Sequence, residues 1–548
     1  MSTVLQPDAP ATPTAHVDTF ARDHLPPREL WPELDFSGIP ELAYPARLNC
    51  AVELLDRMVE GGHADRTAIL WDGGRWSYRE LLEQASRIAH ALRDDLGLVP
   101  GNRVLLRGPN SPMMAACWFG ILKAGGIVVA TMPLLRAREL AQVAEKARIE
   151  LALTDARLAN DLHDARAQAP VLRRVVTWGE DGDSLDAMMR GKPADFPNVD
   201  TAADDVALIA FTSGTTGKPK GTMHFHRDVM AITDCFPRYV LRPDADDVFT
   251  GSPPLAFTFG LGGLLLFPLR FGAAALLLEQ PTPPNLVAAI ARHRVTVLFT
   301  APTAYRAMVD LAPQHDISSL RKCVSAGETL PQPTFEAFHA ATGIRIIDGI
   351  GSTEILHIFI SASGDDIRPG STGKTVPGYQ ARVIGPDGEA LPPGTIGRLA
   401  VRGPTGCRYL DDEERQRAYV SDGWNLTGDA YRMDEDGYFW YQARTDDMII
   451  SAGYNIAGPE VEAVLLEHPA VLECGVVGLP DEERGQVVSA FVVLRPGHAP
   501  GEAMVKTLQE HVKATIAPYK YPRRITFVDA LPRTQTGKLQ RFRLREGA

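Results

Sequence analysis

The 548-residue chain holds six cysteines, Cys50, Cys117, Cys235, Cys323, Cys407 and Cys474, and no two of them form a C-x-x-C pair. That spacing excludes a sequence-defined structural zinc site and fits a reducing compartment. Positive charge is in short supply. With 56 Lys and Arg against 68 Asp and Glu, the net charge is −12, which argues against a broad nucleic-acid surface. A small anionic ligand is not excluded, because it needs only a local positive pocket. The first thirty residues lack a continuous apolar stretch, so no secretory signal is expected and the cytoplasm is the expected location. One run reaches membrane length, GLGGLLLFPLRFGAAALLL (260–278), but Pro268, Arg270 and Gly272 break it. A buried helix followed by a strand is expected there, with no membrane partner. There is no fixed-period repeat, and the first fifteen residues are compatible with disorder.

What is present is an ordinary globular composition, 45% hydrophobic and 23% charged, in a chain long enough for more than one folding unit. The N-terminal half alternates helix and strand. Ser77 and Glu80 form a capping box, followed by an apolar face of Leu81, Leu82, Ala85, Ile88, Ala89 and Leu92. RVLL (103–106) and IVVAT (127–131) read as strands. A helix between them starts at Ser111-Pro112 and stops at Gly125-Gly126. TVLFTAP (296–302), RKCVSAGE (321–328) and IRIIDGIGSTE (344–354) repeat the pattern of an apolar run ending in a polar loop. This order predicts parallel sheets covered by helices, with ligands at the carboxyl ends of the strands. From about residue 370 short strands and Gly/Pro turns predict a small β-rich lobe. The tail predicts a compact α+β domain: a Pro-started helix (459–467), strands (471–477, 487–494), a helix (about 502–515) and a strand (524–528).

The stretch FTSGTTGKPKG (211–221) follows the apolar run VALIAF. Thr212, Ser213, Thr215 and Thr216 offer hydroxyl donors, Gly214, Gly217 and Gly221 let the backbone approach a ligand, and Lys218 and Lys220 add charge. Together they describe a polyphosphate cradle. It is not a Walker A motif, since two residues separate Gly214 from Gly217 and Pro219 follows Lys218.

The stretch resembles the phosphate loop of the adenylate-forming enzymes: acyl-CoA synthetases, luciferases and peptide-synthetase adenylation domains. Further motifs of that family appear in order. GIGSTE (349–354) is similar to its aromatic-G-x-T-E motif, with Ile350 where many members have Tyr. The resemblance implies that Glu354 helps hold Mg²⁺, that Thr353 touches the α-phosphate, and that Asp348 contacts the adenine amino group. LTGDAY (426–431) resembles the motif whose aspartate, here Asp429, binds the ribose hydroxyls. QARTDDMIISAG (442–453) resembles the hinge, with Arg444 on ATP, Asp446 as pivot and Gly453 lining a thiol tunnel; QAR replaces the more usual GR. LPRTQTGKLQR (531–541) resembles the terminal motif that carries the catalytic lysine, here Lys538.

The resemblance implies an α/β fold with a large N-terminal domain (1–443) of stacked, mostly parallel sheets plus the β-rich lobe. A hinge (444–447) and a small mobile α+β C-terminal domain (448–548) would follow. It implies ATP, Mg²⁺ and a thiol. PPLAFTFGLGG (253–263) matches the segment lining the acid pocket. It offers Phe257, Thr258 and Phe259 and no acidic side chain, which disfavours an α-amino acid and suits a flat ring. SAGETLP (325–331) and DGIGSTEILHIF (348–359) resemble the benzoate-type CoA ligases, which places Thr258, Phe259, Gly327, Ile350 and His357 around the ring. DTFARDHLPPRELWPELDF (18–36) resembles their 2-aminobenzoate branch. No carrier domain follows Ala548, so coenzyme A is the expected acceptor, with Arg484, Lys520 and Arg523 as candidates for its phosphates. An aryl-CoA ligase is the first expectation. A free-standing enzyme loading a carrier protein, and a non-catalytic nucleotide or acyl sensor, are the alternatives. A homodimer stays open.

Overall fold

The computed structural model describes residues 12–213, 219–444, 447–451, 454–481, 484–534 and 538–546. Two parallel-rich sheets form the body. The six-stranded one runs Arg174–Trp178, Leu151–Asp155, Arg103–Arg107, Ile127–Thr131, Val206–Ser213, Pro219–Phe225. Only its last pair is antiparallel. The nine-stranded sheet has a parallel centre formed by Thr67–Trp71, Ala274–Leu276, Val248–Gly251, Val297–Thr300, Lys322–Ser325 and Ile346–Gly351. Antiparallel strands close both of its edges. Strands covered on both faces need apolar side chains in both directions; Val104, Leu105 and Leu106 are all fully buried.

Local signals explain the helix starts. Ser77 Oγ accepts from the Glu80 N–H (3.2 Å) while Glu80 Oε2 accepts from the Ser77 N–H (2.7 Å), opening Tyr78–His90. Ser111 Oγ accepts from the Met114 N–H (3.3 Å) at the head of Pro112–Lys123. The apolar run 260–278 is helical through Thr258–Leu261, a π-helical turn at Gly262–Leu266, and Phe267–Arg270. It then becomes the buried strand Ala274–Leu276. Among the described residues no helix is long and apolar enough to cross a membrane.

The β-rich lobe is an antiparallel sheet of Gln380–Ile384, Ile396–Arg402, Trp424–Met433, Val420–Ser421 and Phe439–Arg444. The C-terminal unit has its own core around Ile449, Val461, Leu465, Val476, Val488 and Leu508. Its expected helices appear as Gly458–Glu467 and Glu502–Thr515, and its expected strands as Val471–Asp481, Gly485–Leu494 and Arg524–Phe527. The hairpin of Ile449–Ser451 with Tyr454–Ile456 was not anticipated.

Of the first fifteen residues, 1–11 lie outside the described residues and 12–15 are placed against the fold. The Thr14 hydroxyl and the Ala15 N–H (3.0 Å) both bond to the buried Asp205 carboxylate. The chain then crosses the surface as a strap. Asp18 pairs with Arg103 of the six-stranded sheet, and Glu33 pairs with Arg402 of the lobe at 2.6 Å. Beneath the strap lies a fully buried ion pair, Arg408 Nη1 to Asp228 Oδ2 at 2.7 Å. Removing one member of such a pair strands the other charge in a dry site. Arg408→Met is therefore expected to destabilise the large domain by about 3–5 kcal/mol, read as a drop in urea-unfolding free energy; a loss below 1 kcal/mol would contradict this account.

Candidate active site

The phosphate-loop stretch spans an antiparallel pair. Thr212 lies opposite Lys220 and Phe211 opposite Gly221. Gly214, Thr215 and Thr216 between the strands, and the Ser213 side chain, lie outside the described residues. The strand Pro219–Phe225 is joined on its other side by Arg408–Leu410, through Met223 N–H to Arg408 C=O and Leu410 N–H to Gly221 C=O, both 2.8 Å. That pairing brings Tyr409 against the GIGSTE turn, where its hydroxyl donates to Glu354 Oε1 at 2.7 Å. Gln416 fixes the Tyr409 backbone, accepting its N–H at 2.9 Å. Burial first, and then the Glu354 charge, push the Tyr409 phenol far up, so it is a permanent donor. His224 bonds the Thr353 carbonyl at 2.8 Å. Burial holds its pKa down to about 3, so the ring is neutral and Nε2 carries the proton that is donated.

Lys220 is half-buried, and its pKa is lowered by burial first and then by Arg415, while Glu354 opposes the shift. Asp429 and Arg444 face each other across neighbouring strands. Arg444 Nη1 lies 3.1 Å from Asp429 Oδ1 and donates to the Thr427 carbonyl at 2.9 Å. Asp429 is buried, and burial raises its pKa against the pull of Arg444 and Lys538. Lys538, exposed, reaches the loop after Lys322–Ser325. A Cβ added at Gly327 would lie 3.8 Å from Lys538 Cε. Gly327 has φ +89, a conformation that favours glycine and leaves the approach clear. Asp348 lies within the strand Ile346–Gly351, opposite Ser325 at the end of its parallel pairing with Lys322–Ser325. Its Oδ1 is buried without a hydrogen-bond partner, and burial raises the carboxyl to about 7.

The acid-pocket candidates divide into two groups. His357 is buried beside Phe267 (ring centroids 4.5 Å, edge-on), with Phe236 and Phe259 each at 5.9 Å. Neither ring nitrogen has a hydrogen-bond partner, and burial lowers its pKa to about 3. Gly262 is required beneath it, since a Cβ there would come within 2.4 Å of His357 Cδ2. The preceding Leu356 is held at φ +76, an uncommon conformation for a bulky residue and a mark of local strain. Phe257 and Thr258 instead line a narrow cleft with Trp118, Ala130 and Leu261. Ile350 is half-buried on the strand Ile346–Gly351.

The proposed coenzyme A contacts are partly engaged. Lys520 binds both oxygens of Glu460 at 2.6 and 2.7 Å. The Arg484 backbone N–H donates to Asp481 at 3.1 Å. Arg523 donates to the Tyr519 carbonyl at 3.3 Å and lies over the Tyr521 ring at 4.7 Å. Lys520 is therefore already paired with a carboxylate, which offsets its charge toward a phosphate. Asp446 and Gly453 lie outside the described residues. Tyr409, Phe236 and Phe267 were not singled out from the sequence. They carry no charge and sit in no motif, and only the fold brings them to Glu354 and His357.

Residues 56–408 match the family of the AMP-binding enzyme, and residues 460–538 match the AMP-binding enzyme C-terminal domain. The chain belongs to the AMP-binding enzyme family. Within that family it is 37% identical to benzoate–CoA ligase of Thauera aromatica over 512 residues, 92% of this chain and 97% of that protein. Among solved structures it resembles the anthranilate CoA ligase AuaEII in complex with anthranoyl-AMP (TM-score 0.89, 35% identity, 93% and 99% of the chains covered). It also resembles a benzoate CoA ligase from Burkholderia xenovorans LB400 (TM-score 0.84, 34% identity, 91% and 100% covered). This family member is an AMP-forming acid–thiol ligase with a large N-terminal and a small C-terminal domain.

The raised carboxyl of Asp348 has a pH signature. Its proton is held more tightly in the folded than in the unfolded chain between pH 3.8 and about 7. Stability from this group is thus complete below that window and is lost as pH rises through it. In urea melts Asp348→Asn is expected to gain on wild type across the window and to run parallel above it. Parallel curves throughout would show that Asp348 keeps an ordinary carboxyl.

Proposed function

We propose that the chain is an aryl-CoA ligase that activates 2-aminobenzoate or benzoate with ATP and passes the acyl group to coenzyme A. The observation that carries this is the buried neutral imidazole of His357 among three phenylalanines, an apolar, ring-lined site with two unpartnered ring nitrogens. Such a site suits a flat aromatic acid, and a free imidazole nitrogen suits an ortho amino group. The resemblance to benzoate and anthranilate CoA ligases supports it.

A benzoate-type acid is ionised at neutral pH, so its carboxylate attacks the α-phosphorus of ATP without a general base. An acyl–O–P bond forms and pyrophosphate departs. The barrier is the approach of an anion to a polyanion, and it falls when fixed cations surround the reacting phosphate. Lys220, Arg444 and Lys538 supply those charges. Thr212, Ser213, Gly214, Thr215, Thr216 and Thr353 supply phosphate donors. Asp429 accepts from the ribose hydroxyls, and Asp348 meets the adenine. The donor set fits Mg²⁺. Glu354 is a hard carboxylate with one oxygen oriented by Tyr409, and such an ion commonly takes one or two carboxylates plus phosphate oxygens. When bound, Mg²⁺ would neutralise phosphate charge. In the second step the coenzyme A thiol attacks the acyl carbon, the acyl–O bond breaks and AMP departs. Lys538 serves only the first step. A hinge at 444–447 with Asp446 as pivot, between domains 1–443 and 448–548, would withdraw it. Gly453, Arg484, Lys520 and Arg523 would then serve coenzyme A.

Mass spectrometry of reactions with Mg-ATP, coenzyme A and single acids tests the substrate class. Aryl-CoA from 2-aminobenzoate and benzoate is expected, with little from acetate, hexanoate or phenylalanine; AMP-ester without any CoA product would redirect the reading to a carrier-protein acceptor. His357→Ala is expected to narrow the preference between 2-aminobenzoate and benzoate, and an unchanged ratio would remove His357 from the ortho contact. Lys538→Ala should cut adenylation by about 10²–10³-fold while thioester formation from preformed aryl-AMP persists. Equal loss of both steps would refute the single-step role.

A further inference from the structure

We infer that Glu328 is a positioning residue for Lys538: its carboxylate clamps Arg533 and thereby seats the lysine-bearing segment over the loop at Gly327. Glu328 follows Gly327 directly, on the loop that leaves the strand Lys322–Ser325. Arg533 spans the two domains, with Nη1 3.4 Å from Glu328 Oε1 on the large domain and Nη2 2.9 Å from Glu473 Oε2 on the small one. Arg533 and Lys538 belong to one tied segment. The Thr534 N–H donates to the Lys538 carbonyl at 2.7 Å, and the Lys538 N–H donates to Thr534 Oγ1 at 3.0 Å. Arg533 bridges Leu539, and the Gln540 N–H donates to the Pro532 carbonyl at 2.9 Å. Fixing Arg533 therefore fixes the base from which Lys538 reaches out.

The side chain of Glu328 is only 18% exposed. Arg533, Lys538 and Arg541 face it as cations and Glu473 as an anion. Burial raises its carboxyl pKa, and Arg533 is the strongest opposing influence. Arg533 opposes that rise and favours the carboxylate form, and a long flexible lysine gains most from a rigid base when it must meet a reacting phosphate. Glu473 holds Arg533 from the small domain, and among the partners described Glu328 holds it from the large one.

The inference rests on Lys538 acting in the first step only, so the full-length protein is assayed for each step separately. Pyrophosphate exchange with benzoate reports adenylation, and coenzyme A consumption with synthetic benzoyl-AMP reports thioester formation. Glu328→Gln is expected to lower exchange about tenfold, with thioester formation within about twofold of wild type. Glu328→Asp should restore part of the loss. In a double-mutant cycle Glu328→Gln and Arg533→Gln should be less than additive on exchange. Unchanged exchange, equal loss of both steps, or strict additivity would overturn the inference. If Glu328→Gln does not fold, Arg533→Gln takes its place with the same split expected. Lys538→Ala is run beside them. Retained exchange in that variant would refute the role of Lys538 itself, whereas loss there with none in Glu328→Gln refutes only the clamp.

Discussion

Bringing a carboxylate to a triphosphate means bringing negative charge to negative charge, in a chain whose own net charge is −12. The fold answers by concentrating cations locally. Lys220 comes from a strand of the six-stranded sheet, Arg444 from the edge of the β-rich lobe, and Lys538 from the C-terminal unit. Burial and mutual repulsion depress the Lys220 pKa, the cost of crowding positive charge before an anion arrives. The acidic partners are placed to limit that cost: Glu354 near Lys220, Asp429 on Arg444, Glu328 beneath Arg533. Each of these carboxylates lies in the candidate site or where one domain meets the other.

The arrangement depends on strand ends. The loops that hold Gly327 and Glu354 leave the carboxyl side of strands in the nine-stranded sheet, and Asp348 lies on one of those strands. The phosphate-loop pair and Arg408–Leu410 belong to the other sheet and its border with the lobe. The site therefore lies where the two sheets and the lobe converge, and the C-terminal unit closes it. This explains why a fully buried ion pair at Arg408–Asp228 is tolerated next door. It fixes the Arg408–Leu410 segment, which carries Tyr409 and pairs with the strand that carries Lys220.

Most of this architecture was legible in the sequence because it is local. Ser77 and Ser111 announce their helices through hydrogen bonds spanning three residues, and apolar runs such as IVVAT fill two-sided strands. The tail was legible for the same reason, its helices and strands being cleanly punctuated by Gly and Pro. The charged members of the site, Glu354, Asp429, Arg444 and Lys538, stood out through short motifs. What escaped was whatever depends on distance along the chain. The Tyr409–Glu354 bond spans 55 residues, and the Lys520–Glu460 pair that engages a proposed coenzyme A contact spans 60. The His357 cluster joins phenylalanines from separate elements, and the clamp at Arg533 crosses domains. π-Helical turns such as Gly262–Leu266 also left no mark, because their apolar pattern is that of an ordinary buried helix.

The surface strap carries a consequence for synthesis. Its first residues meet Asp205, but Glu33 waits for Arg402, 369 positions further on. During synthesis Glu33 cannot close on Arg402 until the residues between them have been made. Contacts of such high sequence separation close late and slow folding. The strap is then late to settle, and during elongation the seam between sheet and lobe stays open to chaperones and proteases.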